Sequence, residues 1–411
     1  MLTKYIPRGI IYHDLNFDFL NLFRVLFSRL NNENEVEKFE KIFANNNGSD
    51  FCVAFPFARI GIFHSLKCLD IPKGSEIIMP PISIKAILDV VLEYGLKPKF
   101  VDLDLKTYCY NLNDLQSKIN ENTKAILITY LYGLVPEVDK IIDISKQNNL
   151  KILEDFSQCL NGKYKDIKVG NFGDIGIYSS STTKTLDTYG GGLCVTNSKN
   201  LYNKLKQEQK LLEKPKRFNL FKKVFLDFVR NLLTNIYVFN FLTIWVIKLL
   251  RLFKPNSMTK YVGERSEEKP KKFPKEYFEK FSSFQAQVGI KTLGKVEKFD
   301  LMRINNVNKI NENIPSLESF NSNQNNVYWQ YLYLLNKDNL KNPLQFFKNH
   351  KVDTSQSSLP LLSNLKQYNF QQPTPNAEKI LSSGYFLPSY HKLKKKDIER
   401  ISMVVKGLVS E

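Results

Sequence analysis

The chain has 411 residues, 43% of them hydrophobic, which is enough apolar content for a large core and excludes an intrinsically disordered chain. Lys and Arg outnumber Asp and Glu by 59 to 41, a net charge of +18. Either the surface favours anionic partners (nucleotide-linked substrates, anionic lipid, nucleic acid) or the lysines simply accompany a generally Asn-, Ile- and Lys-rich usage.

Taken in order, residues 1–30 read as an N-terminal helical arm. Phe17, Leu20, Phe23 and Phe27 recur at spacings of three or four and define one apolar face, so the arm is expected to pack on the body. The first residues have no apolar core of signal-peptide length, and a cytoplasmic location is expected. The five cysteines, Cys52, Cys68, Cys109, Cys159 and Cys194, are scattered, odd in number and without metal-ligand spacing. They read as buried thiols in a reducing compartment.

Residues 31–200 read as a large domain. A short apolar strand from Cys52 leads through Pro56-Phe-Ala58-Arg59-Ile60-Gly61 into a helix carrying Ile62, Leu66 and Leu69. Such a turn leaves amides open at the helix N-terminus and is a candidate phosphate seat. From Glu76 to Glu154 strand and helix patterns alternate, which argues for a mostly parallel sheet wound on both faces with its site at the strand C-terminal ends.

The next stretch carries the chemistry. An apolar strand, Leu150–Leu153, ends in Glu154-Asp155-Phe-Ser-Gln158. A second strand, Asp174–Tyr178, runs into Ser179-Ser-Ser-Thr-Thr-Lys184, and Gly190-Gly-Gly192 then supports a tight return into Leu193–Thr196. A carboxylate at a strand end can keep a pyridine nitrogen protonated, hydroxyls can take a phosphate, and a lysine can form an imine. The glycine run is no phosphate loop, because no lysine or hydroxyl follows at the required spacing.

Residues 201–275 are a basic, apolar helical insertion. Phe221, Val224, Phe225, Phe228, Leu232 and Ile236 mark an amphipathic helix, followed by 17 uncharged residues from Asn231 to Ile247, fewer than the roughly 20 a membrane span needs. Twelve Lys/Arg between Lys204 and Lys254 face only Glu208, Glu213 and Asp227. The segment can be a hairpin buried in a dimer or against the small domain, an interfacial membrane anchor, or a span; residues 218–253 are the expected membrane contact. Residues 276–411 read as a smaller C-terminal α+β domain, with a strand at Tyr328–Leu335 and loops at Asn321–Asn326 and Asp353–Ser358.

Glu154-Asp155-x-x-Gln158, Gly170-x-x-Gly173-Asp174, Ser179 and Lys184 together resemble the sugar aminotransferases of the DegT/DnrJ/EryC1/StrS family. Further likenesses are Gly95-x-x-Pro98-x-Phe100-Val-Asp102, Tyr132-Gly133, Phe284-Gln-Ala286 and Leu387-Pro388-x-x-His391. The resemblance implies the fold type I of pyridoxal-phosphate-dependent transferases, a homodimer, and transfer of an amino group, probable donor glutamate in the family, to a keto sugar carried on a nucleotide during surface glycan synthesis. It implies Lys184 as the catalytic lysine, Asp155 on the ring nitrogen, Gln158 on the phenolic oxygen, Ser179 on the phosphate, and Arg59 and Ile60 on the phosphate-facing turn.

The departures matter as much. Ile84 stands where the family stacks an aromatic on the ring, forgoing about 0.5–1.5 kcal/mol of π contact. The family's Gly-x-Asn-Tyr-Arg segment, which reaches the neighbouring subunit's site, is replaced by the basic, Pro-containing Lys269–Lys275. Lysine rather than histidine at position 184 favours transamination over the family's dehydratases. The rival class is a catalytically silent, membrane-associated scaffold on the same fold. His13, His64, His350 and His391 lie far apart without acids or cysteines at ligand spacing, so no metal is expected, and no nucleic-acid-binding motif accompanies the dispersed basic residues.

Overall fold

A computed structural model describes residues 4–253, 273–314, 325–335 and 342–410. Part of the basic segment (269–272) and of the Asn-rich loop (321–324) lie outside the described residues.

The chain opens with helices α1 (Leu15–Phe27) and α2 (Glu33–Asn47) and then builds β1 (Phe51–Phe55), α3 (Ala58–Cys68), β2 (Glu76–Met79), α4 (Lys85–Tyr94), β3 (Lys97–Phe100), α5 (Leu112–Lys118), β4 (Thr123–Thr129), α6 (Val138–Gln147) and β5 (Lys151–Asp155). A small hairpin, β6 (Lys163–Tyr164) and β7 (Ile167–Lys168), precedes β8 (Ile175–Ser179), β9 (Gly192–Thr196), α7 (Lys199–Lys210) and α8 (Arg217–Thr234). Seven strands form one sheet in the order β1-β9-β8-β5-β4-β2-β3. The pairings from β8 through β5, β4 and β2 to β3 are parallel, and β9 pairs antiparallel with both β1 and β8. The mostly parallel α/β sheet expected from the alternating pattern is therefore present, with β9 as the strand that returns.

The parallel strands are apolar on both faces because helices cover both sides. Ile126 and Ile128 of β4 face one apolar cluster with Ile78 and Ile152, while Ala125 and Leu127 face the other with Ile77 and Leu153. The first cluster continues without a break into β10 (Tyr331–Leu334), β11 (Gly384–Leu387) and the helices Ser283–Asn313 and Lys395–Ser410. All five cysteines are free and buried.

One helix face differs from expectation, and a second, left open by the sequence, turns partly outward. The arm does pack on the body, but through Asp18, Asn21 and Val25, leaving Leu20, Phe23 and Phe27 exposed. Helix α8 buries Leu220, Val224, Asp227 and Asn231 and exposes Phe225. The polar residues can go inward because each finds a partner there: Asp18 accepts from Tyr189, Asn231 and His13, and Asp227 accepts from Thr182. After α8 the insertion continues through Ile236–Val238 and a π-helical turn, Phe239–Thr243, into the helix Ile244–Phe253. Among the described residues no helix is long and apolar enough to cross a membrane.

The paired acids at the end of β5 part company, as successive strand residues must. Glu154 turns to the Gly170–Gly173 turn, where its oxygens accept from the amides of Gly170 (2.9 Å), Phe172 (2.7 Å) and Gly173 (2.6 Å) and from the Tyr130 hydroxyl (2.5 Å). Asp174 closes the same turn by accepting from the Ile152 amide at 2.7 Å. Replacing the fully buried Glu154 with Ala strands three amides and a hydroxyl, a loss of roughly 3–5 kcal/mol, whereas Glu154→Gln retains an acceptor and loses less. Urea unfolding of both variants checks the order; equal losses would contradict it.

Candidate active site

Asp155 ends β5 opposite Ile177, and Ser179 ends β8 two residues farther on, so the parallel pairing brings both strand ends to the sheet's C-terminal edge. The Asp155 carboxylate accepts from the Ser157 amide at 3.0 Å, and the Ser157 hydroxyl in turn accepts from the Ser179 amide at 2.9 Å. Ser179 and Ser181 hydroxyls lie 3.0 Å apart at the mouth of the following loop.

That loop is tightly folded. Ser180 and Gly191 pair across its base (3.0 Å), and Thr188 donates back to the Ser180 carbonyl and hydroxyl. Gly191 sits at φ +139°, and a Cβ there would fall 2.5 Å from both Phe281 and the Ser180 hydroxyl, so only glycine closes the return into β9.

Lys184 projects from the loop into the interior, where it is buried beside Asp155. Burial pushes its amine down from 10.5 to about 8, against the pull of the Asp155 charge. Burial likewise pushes Asp155 up, opposed by its bonds to Ser157 and by the lysine. Gln158 follows on the turn after β5; its Oε1 accepts from the Tyr132 amide at 2.7 Å, and among the described residues its Nε2 donates to nothing. That unspent donor, the carboxylate, the amine and the two hydroxyls form a donor set that suits a pyridine ring bearing an aldehyde, a phenolic oxygen and a phosphate.

The remaining expected site residues stand at helix starts. No side chain caps α3, whose N-cap is Phe57; the amides of Ile60 and Gly61 turn back to the Phe57 carbonyl at 3.1 and 3.0 Å. The Ile60 side chain is buried in the core. The Arg59 guanidinium donates to the Tyr277 hydroxyl at 2.6 Å and lies over the Phe57 and Tyr277 rings. Ile84 is the N-cap of α4, half-buried against the same core. No group of three or more His, Cys, Asp or Glu among the described residues is placed to hold a metal ion.

Two features were not legible in the sequence. Trp329, just before β10, donates its indole N–H to the Thr183 carbonyl at 2.9 Å and places its ring centroid 3.9 Å from the Lys184 Nζ. Gly133 makes room for it: at φ +83°, a Cβ there would meet the Trp329 amide nitrogen at 2.4 Å. The Tyr132-Gly133 pair was the only local sign. The second feature is Thr182, two residues before Lys184, whose hydroxyl donates to Asp227 of α8 at 2.5 Å, bonding the insertion to the lysine loop.

The model of the DegT/DnrJ/EryC1/StrS aminotransferase family matches residues 21–220 and 250–406. The chain belongs to this family. GDP-perosamine synthase of Escherichia coli O157:H7 is 34% identical over 171 residues, 42% of this chain and 47% of that enzyme, so the match spans about half of that relative. An uncharacterized protein of Methanocaldococcus jannaschii is 27% identical over 397 residues, 91% of this chain and 90% of its own. The solved structure of an aminotransferase from Psychrobacter cryohalolentis superposes with a TM-score of 0.75 at 18% identity, over 99% of each chain, which is a likeness of fold.

The Lys184 shift has a stability consequence. Between the folded value of about 8 and the unfolded 10.5 the unfolded state binds more protons, so this group's contribution to stability rises with pH across that window. The stability of the cofactor-free protein relative to Lys184→Met should therefore be level below pH 8 and climb above it. Urea unfolding of both proteins across that range measures the difference; a difference that stays level throughout contradicts the shift.

Proposed function

We propose that the protein is a pyridoxal-phosphate-dependent aminotransferase that moves an amino group from an amino acid, glutamate by family resemblance, to the carbonyl of a keto sugar carried on a nucleotide, in surface glycan biosynthesis. The observation that carries this reading is the buried Lys184 on the loop after β8, its Nζ 3.9 Å from the Trp329 ring centroid, at the sheet edge where Asp155 ends β5. Membership of an aminotransferase family and the nucleotide-sugar relatives support it.

The cofactor supplies an electron sink for the bond-breaking step when bound. Lys184 would hold the cofactor through its side-chain amine and, when free, would be the base that takes the proton from the donor's Cα and the acid that gives it back. Asp155 would accept a hydrogen bond from the ring N–H and keep that proton in place, and the Gln158 Nε2 would donate to the phenolic oxygen. The Ser179 hydroxyl and the N-terminal turn of α3 at Arg59 and Ile60 would hold the phosphate, and Ile84 would lie against the ring. Across the full reaction the donor would leave as a 2-oxo acid whose carbonyl oxygen comes from water, and the sugar carbonyl would become an amine with its oxygen released as water.

The 1–30 arm, 31–200 cofactor-binding domain, 201–275 insertion and 276–411 small domain are the division we propose. The enzyme acts as a cytoplasmic homodimer that touches the inner membrane face peripherally through 218–253.

Reconstituted protein should absorb in the near-ultraviolet to blue, and Lys184→Ala should lose both that absorption and amino transfer. Asp155→Ala should retain the covalent link but lose at least about 100-fold in transfer, since an uncharged ring is a poor electron sink. A colourless wild-type protein under saturating cofactor would overturn the proposal.

A further inference from the structure

Surface helices normally turn apolar residues in and polar residues out. Helices α1 and α8 depart from this: beside Val25, Leu220 and Val224 they bury polar residues, and they leave a run of large apolar residues outside. The first buries Asp18 and Asn21 and exposes Phe19, Leu20, Phe23, Leu26 and Phe27, the last by 86%. The second buries Asp227 and Asn231 and exposes Phe225, Leu226 and Leu233.

The interior holds this orientation in place. Asp18 accepts from the Tyr189 hydroxyl (2.6 Å) and from Asn231 (2.6 Å) and lies 2.8 Å from His13 Nδ1; Asn21 donates to Tyr189 at 3.0 Å. Rolling either helix to hide its aromatics would break these bonds and the Thr182–Asp227 bond, leaving buried polar groups without partners at about 1–3 kcal/mol each. The two helices pack together, with the Phe19 and Phe228 rings 6.0 Å apart. The next segment folds back on α8, where the Thr243 hydroxyl donates to the Leu233 carbonyl, and exposes Phe241 and Trp245.

Charge selects the occupant. The acids of α1 and α8, Asp18 and Asp227, are both buried, so the exposed charges of the two helices are all positive: Arg217, Lys222 and Arg230, the last with one guanidinium nitrogen 3.2 Å from the Asp227 carboxylate. Ile236–Ile247 carries no charge at all. A twofold contact with a second copy would set these cations against their own counterparts. An anionic lipid surface neutralises them and takes up the aromatics.

We propose that the outward faces of α1 and α8, with Phe241 and Trp245, lie in the headgroup region of an anionic phospholipid bilayer. This deepens the peripheral-contact reading above and rests on it; it adds the arm to the contact and specifies lipid charge. It does not depend on the transamination chemistry.

The test is flotation of the full chain with phosphatidylcholine vesicles, with and without phosphatidylglycerol, over a salt series. The expected result is recovery with the anionic vesicles at low salt, declining as salt rises. Phe23→Ser/Phe225→Ser, and separately Trp245→Ser, should reduce partitioning roughly tenfold or more while thermal melting and amino transfer in solution stay unchanged. Absence of the wild type from the anionic lipid fraction at low salt overturns the inference, as does undiminished flotation of both variants. A drop in solution mass of the variants by light scattering overturns it in favour of a second copy. For the wild type, no flotation with transfer present rejects this inference alone, and flotation without transfer rejects the catalytic reading alone.

Discussion

The Lys184 amine lies buried beside Asp155, with the Trp329 ring over it, and most of the architecture around it serves to hold that arrangement. Burial alone would drive an amine and a carboxylate toward their neutral forms, and their mutual attraction partly restores the charges. The balance requires the two to be held in fixed relation, which the rigid edge of a parallel sheet provides. β5 supplies the acid, β8 the start of the lysine loop, and the Ser157 to Ser179 bond ties the two strand ends together.

The support extends behind the site. Glu154, one residue from Asp155 and on the opposite face of its strand, binds the amides of the Gly170–Gly173 turn that leads into β8. The loop is also gripped from outside the sheet: Thr182 by Asp227 of the insertion, and the Asp187 carbonyl by His13 of the arm at 2.9 Å. The insertion is thus joined to the lysine loop through two side chains, and the arm through a third. Burial raises both Asp187 and Asp227, with the charge of Asp227 adding to the rise at Asp187, so the acids behind the loop resist carrying two negative charges at once. His13 is held protonated there, at about 9, by Asp187 and Asp18 despite its burial.

Much of this was legible in the sequence. The alternation from Glu76 to Glu154 announced the sheet, because strands buried on both faces must be short and apolar between helices. The order Asp155, Gln158, Ser179, Lys184 announced the cluster, because strand ends and the turns after them share one edge of such a sheet. What misled was the reading of the arm's apolar stripe as its inward face. Phe23 and Phe27 keep helical spacing but point outward; for the insertion, left open between a buried hairpin and an interfacial anchor, Phe225 also points outward. Periodicity identifies an amphipathic helix and says nothing about which side meets the body when both sides can be satisfied. Arg59 shows the same limit: its place at the start of α3 was readable, its bond to Tyr277 over two hundred residues away was not.

The sequence by itself determined the family, the α/β sheet and the residues at its C-terminal edge, since these depend on local periodicity and on a short ordered motif. Tertiary structure alone decided that Trp329 covers the lysine, that Gly133 admits it, and that Asp18, Asn231 and Asp227 turn inward to leave a cationic, aromatic outer face. These are contacts between segments more than a hundred residues apart in several cases, and a buried polar side chain can be assigned to the interior only when its partner's position is known.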